Sequence, residues 1–253
     1  MSPVKQDKRK NSPKTEWIYG FHSAESRIAR APQSILEAYV DNRRRDARMQ
    51  KLVESLEASG IAYQAISKRD LSGFVDANHQ GVVLKTKLSA QKPEKALYDL
   101  LDALDRPPLL LILDQITDPH NLGACLRTAD GAGVDAVILP KDGACPINET
   151  VRRVASGAAD SVNVFYVTNL ARSLKEIQKR GVWVTGLTDA ASQSVFEAKL
   201  TRPIALVLGA EGKGMRKLTQ EHCDQLVSIP MSGSVSSLNV SVATGVVLYS
   251  VGL

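Results

Sequence analysis

A chain of 253 residues with 43% hydrophobic and 23% charged side chains has the balance of a soluble globular protein, enough for one large domain or two modest ones. A net charge of +5 suits a polyanionic partner, while an aromatic content of 5% argues against gripping single strands by rows of stacked rings. Three cysteines without a Cys-x-x-Cys pair point to reduced thiols, four scattered histidines give no metal-ligand spacing, and no apolar run reaches membrane length or forms a secretory leader. The expectation is a cytoplasmic protein with no metal and no membrane partner.

Residues 1–16 carry five basic side chains against two acidic ones and almost nothing apolar, which predicts a disordered basic tail. From Trp17 the pattern alternates. WIYG reads as a strand, SAESRIARA as a helix and ILEAYVD as a strand. DARMQKLVESLEAS sets Met49, Leu52, Val53 and Leu56 at helical spacing before Gly60 as a stop signal, and IAYQAIS and GVVLKTK read as further strands. Residues 17–88 are therefore expected to form a small α/β domain. The run DNRRRDAR leaves two readings for Arg43, Arg44, Arg45 and Arg48: ligands for RNA phosphate, or a solvated helix start. Residues 89–106, charged and carrying Pro93 and one short amphipathic helix, read as a linker.

A second domain over 107–253 opens with the continuous apolar run PPLLLILDQ, the mark of a strand buried on both faces. AVILP, VNVFYV, VWVTGL, IALVLG and LVSIP read as strands, with NETVRRVASGAA and LARSLKEIQKRG as intervening helices, so a parallel sheet covered on both faces is expected. Ligands of such sheets bind beyond the carboxyl ends of the strands. In LDQITDPHNLGACLR, Asn121 is placed to cap a helix, and Gly123 leaves room on the face that carries Arg127. In VLGAEGKGMRKL, glycines 209, 212 and 214 surround Glu211 without forming Gly-x-Gly-x-x-Gly or a phosphate loop. SGSVSSLNVSVATGVVLYSV predicts a helix capped by Ser236 or Ser237, packed through Leu238, Val242, Val246 and Tyr249. Asn239, in its first turn, reads either as part of the cap or as a ligand holder.

Together HNLGACLR (Asn-x-Gly-x-x-x-Arg), GAEGKG (Gly-x-Glu-x-x-Gly) and SSLNVSVATG resemble, in this order, the three motifs of SpoU-type RNA ribose methyltransferases. The likeness runs through essentially the whole chain after the tail. LILDQITDPHNLGACLRTADGAGVDAVILPKD and EHCDQLVSIPMSGSVSSLNVSVATG look like the bacterial members that methylate a guanosine of 23S rRNA, with tRNA-modifying relatives as the neighbouring alternative. The resemblance implies a C-terminal SPOUT domain with a parallel sheet and a deep trefoil knot, and a smaller N-terminal α/β domain, L30e-like, that binds the RNA substrate. It also implies S-adenosylmethionine as cofactor, ribosomal RNA as partner and a homodimer formed through the SPOUT domains.

By position, the resemblance places the cofactor on backbone groups at Gly209, Ile229 and Leu238, with Asn239 beside them. It makes Arg127, Asn121, Glu211, Ser237 and Asn239 the catalytic set. Arg127 would activate the ribose 2′-hydroxyl. A guanidinium is a poor base at neutral pH, so it is expected to act as an electrostatic partner for the developing alkoxide or the adjacent phosphate. Glu211 and Asn239 would orient the arginine and the nucleotide, with Asn121 and Ser237 completing the hydrogen-bond shell. The rivals are a dinucleotide-binding enzyme, whose glycine turn after the first strand is missing, and a non-catalytic RNA-binding module. One departure is the ending YSVGL, with no basic extension past the last helix, which bears on the dimer contact.

Overall fold

The computed structural model describes residues 15–75, 78–87 and 92–251. The chain divides into two compact units, Met1–Ala90 and Gln91–Leu253. The expected tail falls outside the described residues up to position 14, while Thr15 and Glu16 already belong to the first strand.

In the N-terminal unit, strands β1 (Thr15–Tyr19), β2 (Ile35–Asp41), β3 (Gln64–Ile66) and β4 (Val82–Lys87) form a sheet in the order β1-β4-β2-β3. The β2–β3 pair is parallel and the other two are antiparallel. Alternation along the strands sends Ile18, Val40, Val82 and Leu84 to one face, where helices α1 (Phe21–Arg30) and α2 (Ala47–Ala58) cover them with Phe21, Ile28, Met49, Leu52 and Leu56. Asp46 caps α2 by accepting the Met49 N–H, and Gly60 ends it at φ 66°. The opposite face packs Tyr39 and Val83 against the short helix α3 (Lys68–Leu71) and Val75. IAYQAIS yields a strand of three residues only.

His79, 4% exposed, fixes the approach to β4. Its Nδ1 accepts the Gly81 N–H at 3.0 Å and its Nε2 lies 3.2 Å from Ser72 Oγ, which donates to the Lys68 carbonyl. An Nδ1 that accepts and a hydroxyl already donating elsewhere assign the neutral tautomer with the proton on Nε2. Burial first, and the Lys68 charge second, push the imidazole pKa below its ordinary value, with Asp41 opposing.

The C-terminal unit holds a six-stranded parallel sheet in the order β10-β8-β9-β5-β6-β7. Its strands are β5 (Leu109–Asp114), β6 (Ala136–Pro140), β7 (Val164–Val167), β8 (Trp183–Leu187), β9 (Ile204–Gly209) and β10 (Gln225–Val227). Central β5 is buried throughout and serves two cores. Leu109, Leu111 and Leu113 meet helices α5 (Pro119–Gly131), α6 (Glu149–Ala155), α7 (Ala158–Ser161) and α10 (Val240–Ser250). Leu110 and Ile112 meet α4 (Glu94–Ala103) and α8 (Leu170–Gln178). A further short helix, α9 (Lys217–Glu221), precedes β10. No described helix is long and apolar enough to cross a membrane.

Three expectations are corrected. The stretch 89–106 is not simply a linker, because α4 buries Leu97 and Leu101 in the second core and Glu94 accepts hydrogen bonds from Tyr98 and Ser173. Its other charges, Lys95, Asp99 and Asp102, misled because they occupy the solvent face. NETVRRVASGAA is two helices, broken where Ser156 (φ 51°) and Gly157 (φ 96°) turn left-handed. On α10, Val242 and Tyr249 are 53% and 57% exposed, and Val240, Ala243, Thr244, Val247 and Leu248 are the buried residues instead.

If α4 is structural, Leu97→Ala should destabilise the C-terminal unit by about 2–5 kcal/mol in urea denaturation, as core leucine deletions do; a linker leucine would cost almost nothing. The His79 shift has a sign as well. An imidazole whose folded pKa is lowered gives stability that is intact above its unfolded pKa of about 6.5 and lost as the pH falls through that value. Unfolding followed by Trp17 fluorescence in a Trp183→Phe background should show that loss, and His79→Asn should flatten it.

Candidate functional site

The carboxyl ends of β5 and β9 lie side by side, with Asp114 paired to Gly209, at the point where the strand order changes direction. Asp114 is fully buried. Its Oδ2 accepts the backbone N–H of Arg216 at 3.0 Å and its Oδ1 lies 2.7 Å from the Arg216 guanidinium. The chain after β9 must therefore fold back over the strand end within a few residues. Ala210 and Gly214 exchange backbone hydrogen bonds, Gly212 and Gly214 take φ of 75° and 66°, and a Cβ on Gly209 would stand 2.0 Å from Gly214 C and Met215 N. Only glycine fits there. The sequence signal for this pairing is a carboxylate closing a wholly apolar run, which cannot be buried unpaired.

Glu211 rides at the tip of this turn. Its Oε2 accepts from Asn239 Nδ2 at 3.2 Å, and the same Nδ2 donates to Asn121 Oδ1 at 2.9 Å. Asn239 is also the N-cap of α10, its Oδ1 accepting the Ser241 N–H at 2.9 Å. The cap reading of Asn239 applies to its oxygen, while its nitrogen bridges Glu211 and Asn121. The cap does not fall to Ser236 or Ser237, which are exposed in the preceding loop. Nor does Asn121 cap α5. Asp118 does so, accepting from the His120 and Asn121 N–H groups, with Pro119 at the first helical position. That cap, three residues earlier than expected, turns the Asn121 side chain toward Asn239.

Three of the expected catalytic residues are thereby joined. Arg127 is not among them: its guanidinium is exposed and reaches Ser156 Oγ at 3.4 Å rather than Glu211 or Asn239. Gly123, one turn before it, is buried against α6, where an added Cβ would lie 2.7 Å from Val154 Cβ; the room it leaves serves helix packing.

Beside the cluster is a cavity of about 300 Å³, the lower end of the size range of small-molecule sites. Gly209, Ile229 and Leu238 all line it, as do Glu211 and Ser237, whereas Asn121, Arg127 and Asn239 are outside its lining. Leu187, Leu208 and Val240 add apolar wall, and Thr188 and Gln220 add polar groups. Two carboxylates, Asp189 and Glu211, face one lysine, Lys213, an arrangement suited to a ligand carrying positive charge beside an apolar ring. Among the described residues, no three His, Cys, Asp or Glu side chains gather as a metal site.

The arginine run divides. Arg44 and Arg48 lie over the Phe21 ring at 4.6 and 4.7 Å, and they pair with Asp46 and Glu25 respectively. Arg45 donates to the Arg44 carbonyl, and among the described residues Arg43 is held only through its backbone N–H to Asp41 Oδ1. Two of the four are thus packing residues, so the run is not one uniform phosphate patch.

Residues 108–249 match the SpoU rRNA Methylase family, and residues 17–91 match the RNA 2′-O ribose methyltransferase substrate-binding family. The 23S rRNA (guanosine-2′-O-)-methyltransferase RlmB of Pectobacterium atrosepticum is 52% identical over 236 residues, 93% of this chain and 96% of that protein. The protein of the same name from Escherichia coli K12 is 49% identical, over 93% of this chain and 97% of its own. Among solved structures, the SpoU methyltransferase AviRb of Streptomyces viridochromogenes, in complex with AdoMet, superposes with a TM-score of 0.76 at 22% identity. It covers 93% of this chain and 88% of that one, a likeness of fold.

The two roles of Asn239 can be separated. Asn239→Ala should lose the cap, about 1 kcal/mol in urea denaturation, at any pH. Asn239→Asp keeps a capping oxygen but sets a second carboxylate against Glu211. That variant should be less stable than the wild type at pH 7 and recover below about pH 5, as one carboxyl takes a proton. Equal stability of Asn239→Asp and wild type at pH 7 would show that the amide bridge carries no weight.

Proposed function

The chain belongs to the SpoU rRNA methylase family, and from that premise we propose that it transfers the methyl group of S-adenosylmethionine to the ribose 2′-hydroxyl of a guanosine in 23S rRNA. The observation that carries the reading is the 300 Å³ cavity built from Gly209, Ile229 and Leu238, coupled through Glu211 to the Asn121–Asn239 amide bridge. Apolar walls for a purine ring and flanking carboxylates for a sulfonium fit this cofactor. A bound sulfonium supplies an activated methyl group and its own leaving group. The protein's task is then to position the hydroxyl and manage its proton.

In this reading Glu211, Asn239 and Asn121 hold the nucleotide end of the site, and Ser237 offers a hydroxyl at the cavity wall. Arg127 leaves Ser156 to meet the developing alkoxide or the neighbouring phosphate, an interaction stronger in the transition state than in the ground state. The N-terminal unit, L30e-like, holds the RNA. The C-terminal segment forms a deep trefoil knot of the SPOUT type. Support comes from the backbone of Ser228, bracketed by Gln193 O and Val195 N at 2.9 and 2.8 Å, and from the shared lining of 209–214 and 229–243. Val242 and Tyr249, exposed on α10, are the surface for a homodimer. Free Cys125 and Cys223, pushed up by burial to about 11 and 12, stay protonated and suit the reducing cytoplasm.

Titration with S-adenosylmethionine and methyl transfer to undermethylated 23S rRNA test the proposal; a wild-type chain that binds no cofactor ends it. Arg127→Ala should keep cofactor affinity while the single-turnover rate with saturating RNA falls by about 10²–10³. A near-normal rate would remove Arg127 from the site.

A further inference from the structure

The N-terminal unit has a cavity of its own, about 540 Å³, between the turn after β2 and the 78–81 segment leading into β4. We propose that it is a phosphate subsite for the RNA strand, with Arg43 and Lys68 as the ligands; this rests on the RNA-methylating function above and names where one backbone phosphate is held.

Arg44 and Arg48 are engaged by Phe21, Asp46 and Glu25, and Arg44 also donates to the Gln80 carbonyl. Arg45 is turned onto the Arg44 carbonyl. The Arg43 guanidinium and the Lys68 ammonium, by contrast, have no carboxylate partner among the described residues, and both line the cavity. The one carboxylate there, Asp41, already accepts the Arg43 N–H through Oδ1. Two exposed cations from separate chain segments converge on a concavity, so together they offer a guanidinium fork and a point charge, the pairing that suits a phosphate oxygen set.

The frame is fixed before any ligand arrives. His79 ties the 78–81 segment to α3 through Ser72 and Lys68 O, and Arg44 ties it to the turn after β2 through Gln80 O. Gln80 and Gly81 take φ of 53° and 87°, and a Cβ on Gly81 would stand 3.1 Å from Asp41 Cβ, so a side chain there would be strained and crowded. With the floor already built, only the Arg43 and Lys68 side chains remain to be ordered on binding.

Filter binding of the full chain to undermethylated 23S rRNA across about 50–200 mM salt tests this. Removing one phosphate contact lowers the slope of log Kobs against log salt by about 0.7–0.9, a loss of about 5- to 8-fold in affinity at 0.1 M. Arg43→Gln and Lys68→Gln should each show that change, with S-adenosylmethionine affinity and circular dichroism unaltered. Lys51→Gln removes an equal charge from the exposed side of α2, outside the cavity, and should change affinity less than about twofold. If Lys51→Gln matches the other two, the effect is diffuse charge and the subsite is refuted while the function stands. A wild-type chain that binds S-adenosylmethionine but not 23S rRNA would refute the RNA reading itself, and the subsite with it.

Discussion

The buried carboxylate of Asp114 governs the geometry of the C-terminal unit. It sits at the end of the central strand, wholly out of water, where an unpaired charge is untenable. Its Oδ2 accepts the Arg216 backbone N–H and its charge is paired with the Arg216 guanidinium, contacts that draw the chain after β9 back across the strand end. The crowding at Gly209 and the left-handed glycines at 212 and 214 follow from that short return. So does the place of Glu211 at the tip, where a single amide from α10 reaches it and Asn121 together. A charge pair made for folding thus positions groups assigned to chemistry.

Much of this was legible in the sequence, because strands buried on both faces and glycines after a strand leave local signatures. The alternating cores along β5, and the joining of residues from three distant loops, follow from those signatures and from the family motifs. What stayed hidden depended on distant partners. Asn239 could not be divided between cap and bridge without knowing that Glu211 and Asn121 lie across from its nitrogen. The Asp118–Pro119 pair did announce the start of α5, yet the motif drew attention to Asn121 instead. In α10 apolar side chains lie on every side of the helix, so periodicity could not choose a face, and packing against the sheet chose Val247 and Leu248 over Val242 and Tyr249.

Charge was the least legible property. The acidic and basic residues of α4 implied a solvated connector, although they are only the outer half of a packed helix. Four arginines in six positions implied a uniform patch, although a phenylalanine more than twenty residues away claims two of them. Composition counts charges, whereas their function depends on which have found partners within the fold.

The close seat of Gly123 against Val154 limits how Arg127 can act. With α5 wedged onto α6 at backbone distance, and with Cys125 Sγ 3.4 Å from Thr244 Oγ1 on α10, the helix cannot roll about its axis without unseating two neighbours. Arg127 is therefore a jointed arm on a fixed mount. Under the proposed role, its travel from Ser156 would come from its own side-chain torsions, which turn over in nanoseconds, and would need no slow rearrangement of the scaffold.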